Sequence, residues 1–295
     1  MKTLEGKVAI VAGASRGAGR GIALALGSAG ATVYVAARTS KTGPQPADGV
    51  PGTVEDTAAE VTARGGKGIA IAADISDEAQ VESVFKRVQE DHGHLDLLVS
   101  SVWYSNALDA WGKPFWKLAS SFWRDMQHTE DAHWHLGQHA ARIMTPRQHG
   151  LVVFVTDLAG PDSNAYHGQI MWDVGHHTIG RLMVGMSHEL KEHKIAVVGM
   201  NPGFMRTERV LRHMRDAPES ERMQFRFDLS ESVEYIGRAV AALAGDPDAI
   251  KRTGQFLWAA DLAREFGFTD IDGRYIPRFD PKAPAQKYPE SWLTP

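Results

Sequence analysis

The chain has 295 residues, 36 acidic against 32 basic, and a formal net charge of −4. It is long enough to bury a full core as one large domain, and it lacks the basic excess of a nucleic-acid binder. It has no cysteine, which excludes disulfides, thiolate nucleophiles and cysteine-ligated metals. No run approaches the ~20 apolar residues of a membrane span, and no apolar signal region precedes the first apolar run at Lys7–Ala12. The expectation is a cytoplasmic protein with neither membrane nor nucleic-acid partner.

Short Val-, Ile- and Ala-rich runs alternate with amphipathic stretches, the pattern of βαβ units and a parallel sheet. The runs predict strands over 7–12, 32–37, 68–73, 95–101, 150–156, 194–200 and 255–259. They alternate little between apolar and polar, as strands buried on both faces should. Helices are predicted over about 18–29, 53–64, 77–91, 120–143, 170–192 and 231–244. Residues 40–52 read as a Pro/Gly-rich loop. Residues 102–118 form a long connection carrying Trp103, Trp111 and Trp116, and connections of that length are usually functional or poorly ordered. The expected organisation is one α/β domain over 1–272 and a polar, Pro-rich tail over 273–295.

The segment Ala12-Gly13-Ala14-Ser15-Arg16-Gly17-Ala18-Gly19 follows the first strand and opens a helix. Glycines there let the backbone approach a pyrophosphate, whose charge the helix N-terminus attracts. A glycine cluster alone also fits a tight turn, but the length of the unit favours a dinucleotide. An NAD site would place Asp or Glu at the end of the second strand to bind the ribose hydroxyls. Here the strand ends at Ala37-Arg38, so Arg38 and Arg16 are candidates to grip a 2′-phosphate. NADP(H) is the expected cofactor.

These residues resemble the short-chain dehydrogenase/reductase superfamily over nearly the whole chain; the Trp-rich connection with Phe115-Trp116 and Phe122-Trp123, and the run Gly267-Phe268-Thr269-Asp270, resemble the branch of dehydrogenase/reductase family member one. Gly13, Gly17 and Gly19 match its glycine turn, with Ala12 where a threonine is usual. Asp74 matches the acid that holds adenine. Pro202, Gly203 and Thr207 match the Pro-Gly-x-x-x-Thr segment that closes over the nicotinamide side. The resemblance implies a Rossmann-type doubly wound parallel sheet. It also implies a homodimer or homotetramer paired through helices near 120–143 and 170–192, which carry Ile143, Met144, Leu182, Met183 and Met186.

The departures from the family pattern gather in one place. Its Asn-Asn-Ala-Gly reads Ser100-Ser101-Val102-Trp103, and the asparagine of its long helix falls on Glu130. Its catalytic serine falls on Asp157, or on Thr156 if the register slips by one. Its Tyr-x-x-x-Lys pair falls on Trp172 and His176. Tyr166 does not restore the pair, because Ile170 and not lysine stands four residues on. An indole is a hydrogen-bond donor only, and imidazole is not a fixed cation, so neither family role passes on unchanged. Asp157 and His176 form a candidate acid/base couple or a structural pair, and Glu130 could join them. Trp172 would wall the pocket. Trp103, Tyr104 and Trp116 could line it and favour a flat, aromatic or cationic substrate. His135 and His139 have the i, i+4 spacing of a zinc helix, but Leu136 stands where that motif needs Glu, and no metal is expected. Three readings follow: an NADP(H)-dependent oxidoreductase with an unusual acid/base set, a non-redox isomerase, cyclase or lyase on the same scaffold, or an inactive NADP(H)-binding protein.

Overall fold

A computed structural model describes residues 3–293 apart from 44, 47, 48, 105–109, 111, 158–165, 167 and 281. Seven parallel strands, β1 (Val8–Ala12), β2 (Thr32–Ala37), β3 (Lys67–Ala72), β4 (Leu97–Ser100), β5 (Gly150–Val155), β6 (Ile195–Asn201) and β7 (Phe256–Trp258), lie in the order β3-β2-β1-β4-β5-β6-β7. Strand register lines up the side chains in rows. Val35, Val11, Val99, Val153 and Val198 face one layer of helices, while Tyr34, Ile10, Leu98, Val152 and Val197 face the other. Both rows are buried, which is why the strand sequences show no alternation.

The helices are α1 (Gly17–Ser28), α2 (Val54–Ala63), α3 (Glu78–His92), α4 (Ser120–Met144), α5 (Ile170–Leu190), α6 (Glu208–Asp216), α7 (Glu219–Gln224), α8 (Val233–Gly245) and α9 (Ala259–Phe266). Helices α1, α2, α8 and α9 cover one face and α3, α4 and α5 the other. The sheet order reverses between β1 and β4, and at such a switch point the strand ends open into a ligand crevice. No described helix is long and apolar enough to cross a membrane.

Sequence patterning gave no sign of α6, α7 or α9. In α6 the apolar face is only Val210, Leu211 and Met214 among charged residues, with Met214 alone buried, too short a stripe to stand out. Helix α9 follows β7 without a loop, so no turn residues separate the two. The expected tail over 273–295 is tied down in its described part: Ile276 exchanges hydrogen bonds with the Tyr235 hydroxyl (2.9 and 3.2 Å), and Arg226 donates to Ala283 O (2.7 Å). Trp111, expected in the long Trp-rich connection, lies outside the described residues. Met144 and Met183, expected at a subunit interface, are wholly buried in the chain's own core.

Candidate functional site

Gly13 follows β1 with φ +80°, and a Cβ there would lie 2.4 Å from Ser101 O. Gly19, in the first turn of α1, would bring its Cβ within 2.3 Å of Gly13 O. Both contacts are with backbone, so any side chain would force the turn open. Ser15 is buried in the turn. The Gly17 N–H at the start of α1 donates to Glu208 Oε2 at 2.8 Å. A carboxylate from α6 thus sits where a helix N-terminus attracts an anion.

Arg16 donates to Val50 O (2.8 Å) and Gly52 O (3.0 Å), pinning the 40–52 loop across the turn. Arg38 is exposed at the end of β2, its guanidinium 4.1 Å from the Tyr104 ring centre. The Tyr104 hydroxyl donates to Asp74 Oδ1 and accepts from the Ser76 N–H at 3.0 Å. Tyr104, expected beside Trp103 and Trp116, sends its hydroxyl to Asp74 and lies against Arg38. Partial burial pushes the Asp74 carboxyl up, but hydrogen bonds from Tyr104 and Ser76 outweigh it and hold the group below the usual carboxylate range. Burial, then the bond to Asp74, pushes the Tyr104 phenol up to about 12.

At the other end of the crevice, β5 delivers Thr156 and Asp157, and the second turn of α5 delivers His176. The imidazole Nδ1 lies 3.0 Å from Thr156 Oγ1 and accepts the Asp157 N–H at 3.1 Å. A nitrogen that accepts an N–H carries no proton, so the neutral ring carries its proton on Nε2. That nitrogen lies 3.9 Å from Asp157 Oδ2. The two candidate serine positions, Thr156 and Asp157, therefore meet the same imidazole. Thr156 is fully buried, whereas the Asp157 side chain is 33% exposed and reaches solvent.

Trp103 stacks on His176 at 4.7 Å between ring centres with planes 13° apart, and Trp172 packs against both at 5.2 and 4.5 Å. A Cβ at residue 175 would lie 2.9 Å from Trp103, so the bulk of Trp103 is matched by Gly175 on the helix it faces. Trp116 is 71% exposed against Phe115 and does not join these rings. Glu130 is half-buried on α4, and no hydrogen bond or ion pair joins it to Asp157 or His176. His133, one turn further along α4, is buried. Its Nδ1 lies 2.6 Å from Ser100 Oγ and its Nε2 lies 3.1 Å from Val102 O. Burial holds it neutral, pushed down to about 4. It braces the strand end that carries Trp103. Among the described residues, no group of three or more His, Asp or Glu side chains could hold a metal ion.

Pro202 and Gly203 follow β6, and Thr207 caps α6 by accepting the Val210 N–H at 3.2 Å. A Cβ on Gly203 would come within 2.7 Å of Glu231 Oε2. Glu231 is 1% exposed, and burial pushes its carboxyl up to about 8. Sequence reading missed Glu231 and Glu208, because each looks like an ordinary acid near the start of a helix.

The chain's likenesses agree with this layout. The short chain dehydrogenase family model matches residues 7–217. Dehydrogenase/reductase SDR family member 1 of Mus musculus is 36% identical over 92% of this chain and 86% of that protein. Among solved structures, YwfH, an NADPH dependent reductase involved in bacilysin biosynthesis, superposes with a TM-score of 0.68 at 20% identity, over 86% of this chain and 96% of that one. A metagenomic short-chain oxidoreductase in complex with NADP gives 0.66 at 24% identity, over 87% and 98%. The structural likenesses bear on the fold alone.

Proposed function

Because the chain belongs to the short-chain dehydrogenase family, we propose that it binds NADP(H) at the β1–α1 turn and carries out oxidoreduction with Asp157, not a tyrosine, as the proton-exchanging group. The backbone turn fits the dinucleotide: Gly13 and Gly19 let the chain fold tightly against Ser101 and against itself, which leaves the α1 N-terminus to face a pyrophosphate. Gly17 and Ser15 would hold the pyrophosphate, Arg38 a 2′-phosphate, Asp74 and Tyr104 the adenine end, and Pro202, Gly203 and Thr207 the nicotinamide end. Arg16 acts indirectly, by fixing the loop over the turn. The bound nicotinamide supplies or accepts the hydride.

The observation that carries the reading is the hydrogen-bonded set at the end of β5. His176 Nδ1 is taken by the Asp157 N–H, so the ring carries its proton on Nε2, 3.9 Å from Asp157 Oδ2, close enough for the imidazole to bear on the charge of that carboxyl. Thr156 fixes the ring from the strand side. Asp157 is then the group that gives a proton to, or takes one from, a substrate oxygen, and its exposure lets it re-equilibrate with water between turnovers. Trp103 and Trp172 pack against the imidazole and offer a flat apolar wall beside it, which suits a planar or aromatic carbonyl substrate.

Titration with NADPH and NADH, followed by an absorbance screen at the nicotinamide band with carbonyl and imine substrates, tests this. Preferential NADPH binding and its oxidation support the reading. A second reading, nucleotide binding without hydride transfer, is favoured by the stacking of Trp103 on His176, which narrows the space above the imidazole. Binding with no oxidation by any substrate would select it. Glu208 must leave the Gly17 N–H before a phosphate takes it, so Glu208→Ala should tighten NADPH binding, by up to about 1 kcal/mol. The protein is also proposed to work as a homodimer or homotetramer through α4 and α5. With Met144 and Met183 spent on the core, the apolar surface left on α4 is Trp123 and Trp134, 49% and 48% exposed. They lie on one face, about three turns apart. A monomeric mass in light scattering would contradict the assembly.

A further inference from the structure

Between β6 and α8 the chain makes an excursion over residues 207–225 that carries α6 and α7. It starts and ends at buried arginines: Arg206 and Arg226 are each 8% exposed. Within the excursion only Met214 and Ala217 are buried. So little apolar surface holds it down, and segments of that kind open at low cost. Polar contacts from two sides do the holding. On one side stands the cradle. The Glu208 carboxylate accepts the Gly17 N–H at 2.8 Å. A Cβ on Gly17 would meet Thr207 Cγ2 at 3.8 Å, and one on Gly49 would meet the Arg212 guanidinium at 3.9 Å. The start of α6 therefore lies against the turn, and its flank against the 40–52 loop that Arg16 pins there.

On the other side runs the segment 282–293. None of its residues is buried, yet it offers a ring or an acceptor to four arginines. Arg206 stacks on Trp292 at 3.7 Å. Arg215 of α6 donates to Leu293 O at 3.1 Å, and Arg222 of α7 to the Tyr288 hydroxyl at 2.7 Å. Arg226 donates to Ala283 O at 2.7 Å and Pro284 O at 3.2 Å. The Gln286 N–H donates to Asp228 Oδ2 at 2.8 Å, an oxygen that Arg226 also holds. Tyr288 and Trp292 meet the buried Phe227 at 5.1 and 5.7 Å between ring centres. The segment is thus a strap along α6 and α7, tied to the buried base of the excursion.

We infer that residues 207–225 form a latch over the cradle, closed in this structure, in which Glu208 occupies the place of a nucleotide phosphate and the 282–293 strap sets how readily the latch lifts. The Gly17 N–H, at the first position of α1, has no acceptor within the helix; Glu208 supplies one from the chain itself. Thr207 lies against the same glycine, so a phosphate at that N–H requires the start of α6 to draw back and not the carboxylate alone to swing away. Only the lifted form takes the nucleotide, and apparent affinity is the intrinsic affinity reduced to the lifted fraction. Loosening the strap therefore tightens nucleotide binding, although no strap residue touches the cradle. The nucleotide's part rests on the proposed function; the mechanical link from Trp292 to the Gly17 N–H does not.

Deuterium exchange of the full chain, read by mass spectrometry without nucleotide, follows that link. Glu208→Ala should speed exchange in the peptide that holds Gly17. Trp292→Ala should speed it there too, and in α6, severalfold over the wild type. Tyr288→Phe, which removes only the hydroxyl that Arg222 uses, should act in the same direction and serves if Trp292→Ala fails to fold. Calorimetry with NADPH should then show a gain of up to about fivefold in Glu208→Ala and a gain in the strap variants. In a Glu208→Ala background Trp292→Ala should add little, because the strap acts through Glu208. Faster exchange confined to 282–293 in the strap variants would overturn the inference, since the strap would then be a cover and no more. So would gains in affinity that simply add. Unchanged exchange at the turn in proteins that bind NADPH would sink the latch and spare the nucleotide reading. No NADPH binding by any of these proteins, with exchange at the turn raised as expected, would sink the nucleotide reading and leave the link from strap to turn in place.

Discussion

The β1–α1 turn and the β5–α5 junction lie at the same edge of one sheet but are specified in different ways. At the turn, backbone meets backbone: Gly13 lies against Ser101 O and Gly19 against Gly13 O, with no room for a Cβ at either. At the junction, side chain meets side chain: Trp103, Trp172 and His176 pack ring on ring, and Gly175 is small because Trp103 is large. The first arrangement admits almost one residue type per position. The second is a mutual fit that several sets of residues could satisfy, so it can drift to new chemistry while the turn stays fixed.

The largest expected effect breaks the turn. Gly13→Val combines a left-handed backbone, which costs a branched residue about 1–3 kcal/mol, with a collision against the Ser101 carbonyl. It should abolish nucleotide binding in calorimetry and lower the melting temperature. Retained binding would mean that the turn is not the cradle.

Next come the junction's polar groups. Asp157→Asn and His176→Ala should each lower turnover by ~10²-fold or more, and the double variant should cost little beyond either single change, since groups acting as a unit fail together. Full activity in both singles would remove them from the mechanism. A smaller effect belongs to the turn side. Arg38→Asp should weaken NADPH by about 1.5–3 kcal/mol, the scale of a charged hydrogen bond, and leave NADH nearly unaffected. Equal loss for both would mean that Arg38 does not read the 2′-phosphate. The smallest belongs to Trp172→Phe, which keeps an aromatic wall. It should lose about 1 kcal/mol of ring contact in a melting experiment and retain the chemistry, because an indole cannot exchange the proton.

The same division governs what the sequence disclosed. All seven strands stood out: β1, β2, β4, β5 and β6 are buried over nearly their whole length and leave continuous apolar runs, and β3 and β7, partly exposed at the two ends of the sheet, are short apolar runs bounded by polar residues and glycine. The glycine turn stood out because a positive φ and a close backbone approach leave a compositional mark. At the junction the sequence offered Asp157, Thr156 and His176 as candidates but not their geometry. The hydrogen bond from the Asp157 N–H to Nδ1, which fixes the imidazole's proton, involves a backbone group that no side-chain pattern reports. Tyr104 stands next to Trp103 in sequence, which points to the pocket, yet its hydroxyl bonds to Asp74, a partner that neighbours in sequence do not report. Glu130 falls on the helix position by counting alone, and no described hydrogen bond or ion pair joins it to the couple. Glu208 reaches the Gly17 N–H across 191 residues of chain; a contact of that separation has no local signal. Glu231 is legible only once its burial is known.

The most direct test of the proposed NADP(H) cradle beside a proton-exchange centre built on Asp157 is a paired measurement on wild type and Asp157→Asn: NADPH affinity by calorimetry, and NADPH oxidation at the nicotinamide band with a panel of aromatic carbonyls. The account predicts the same affinity in both proteins within about threefold, which is under 1 kcal/mol, with oxidation in the wild type and a ~10²-fold loss in the variant. Equal oxidation rates in the two proteins, or no NADPH binding by the wild type, would contradict it.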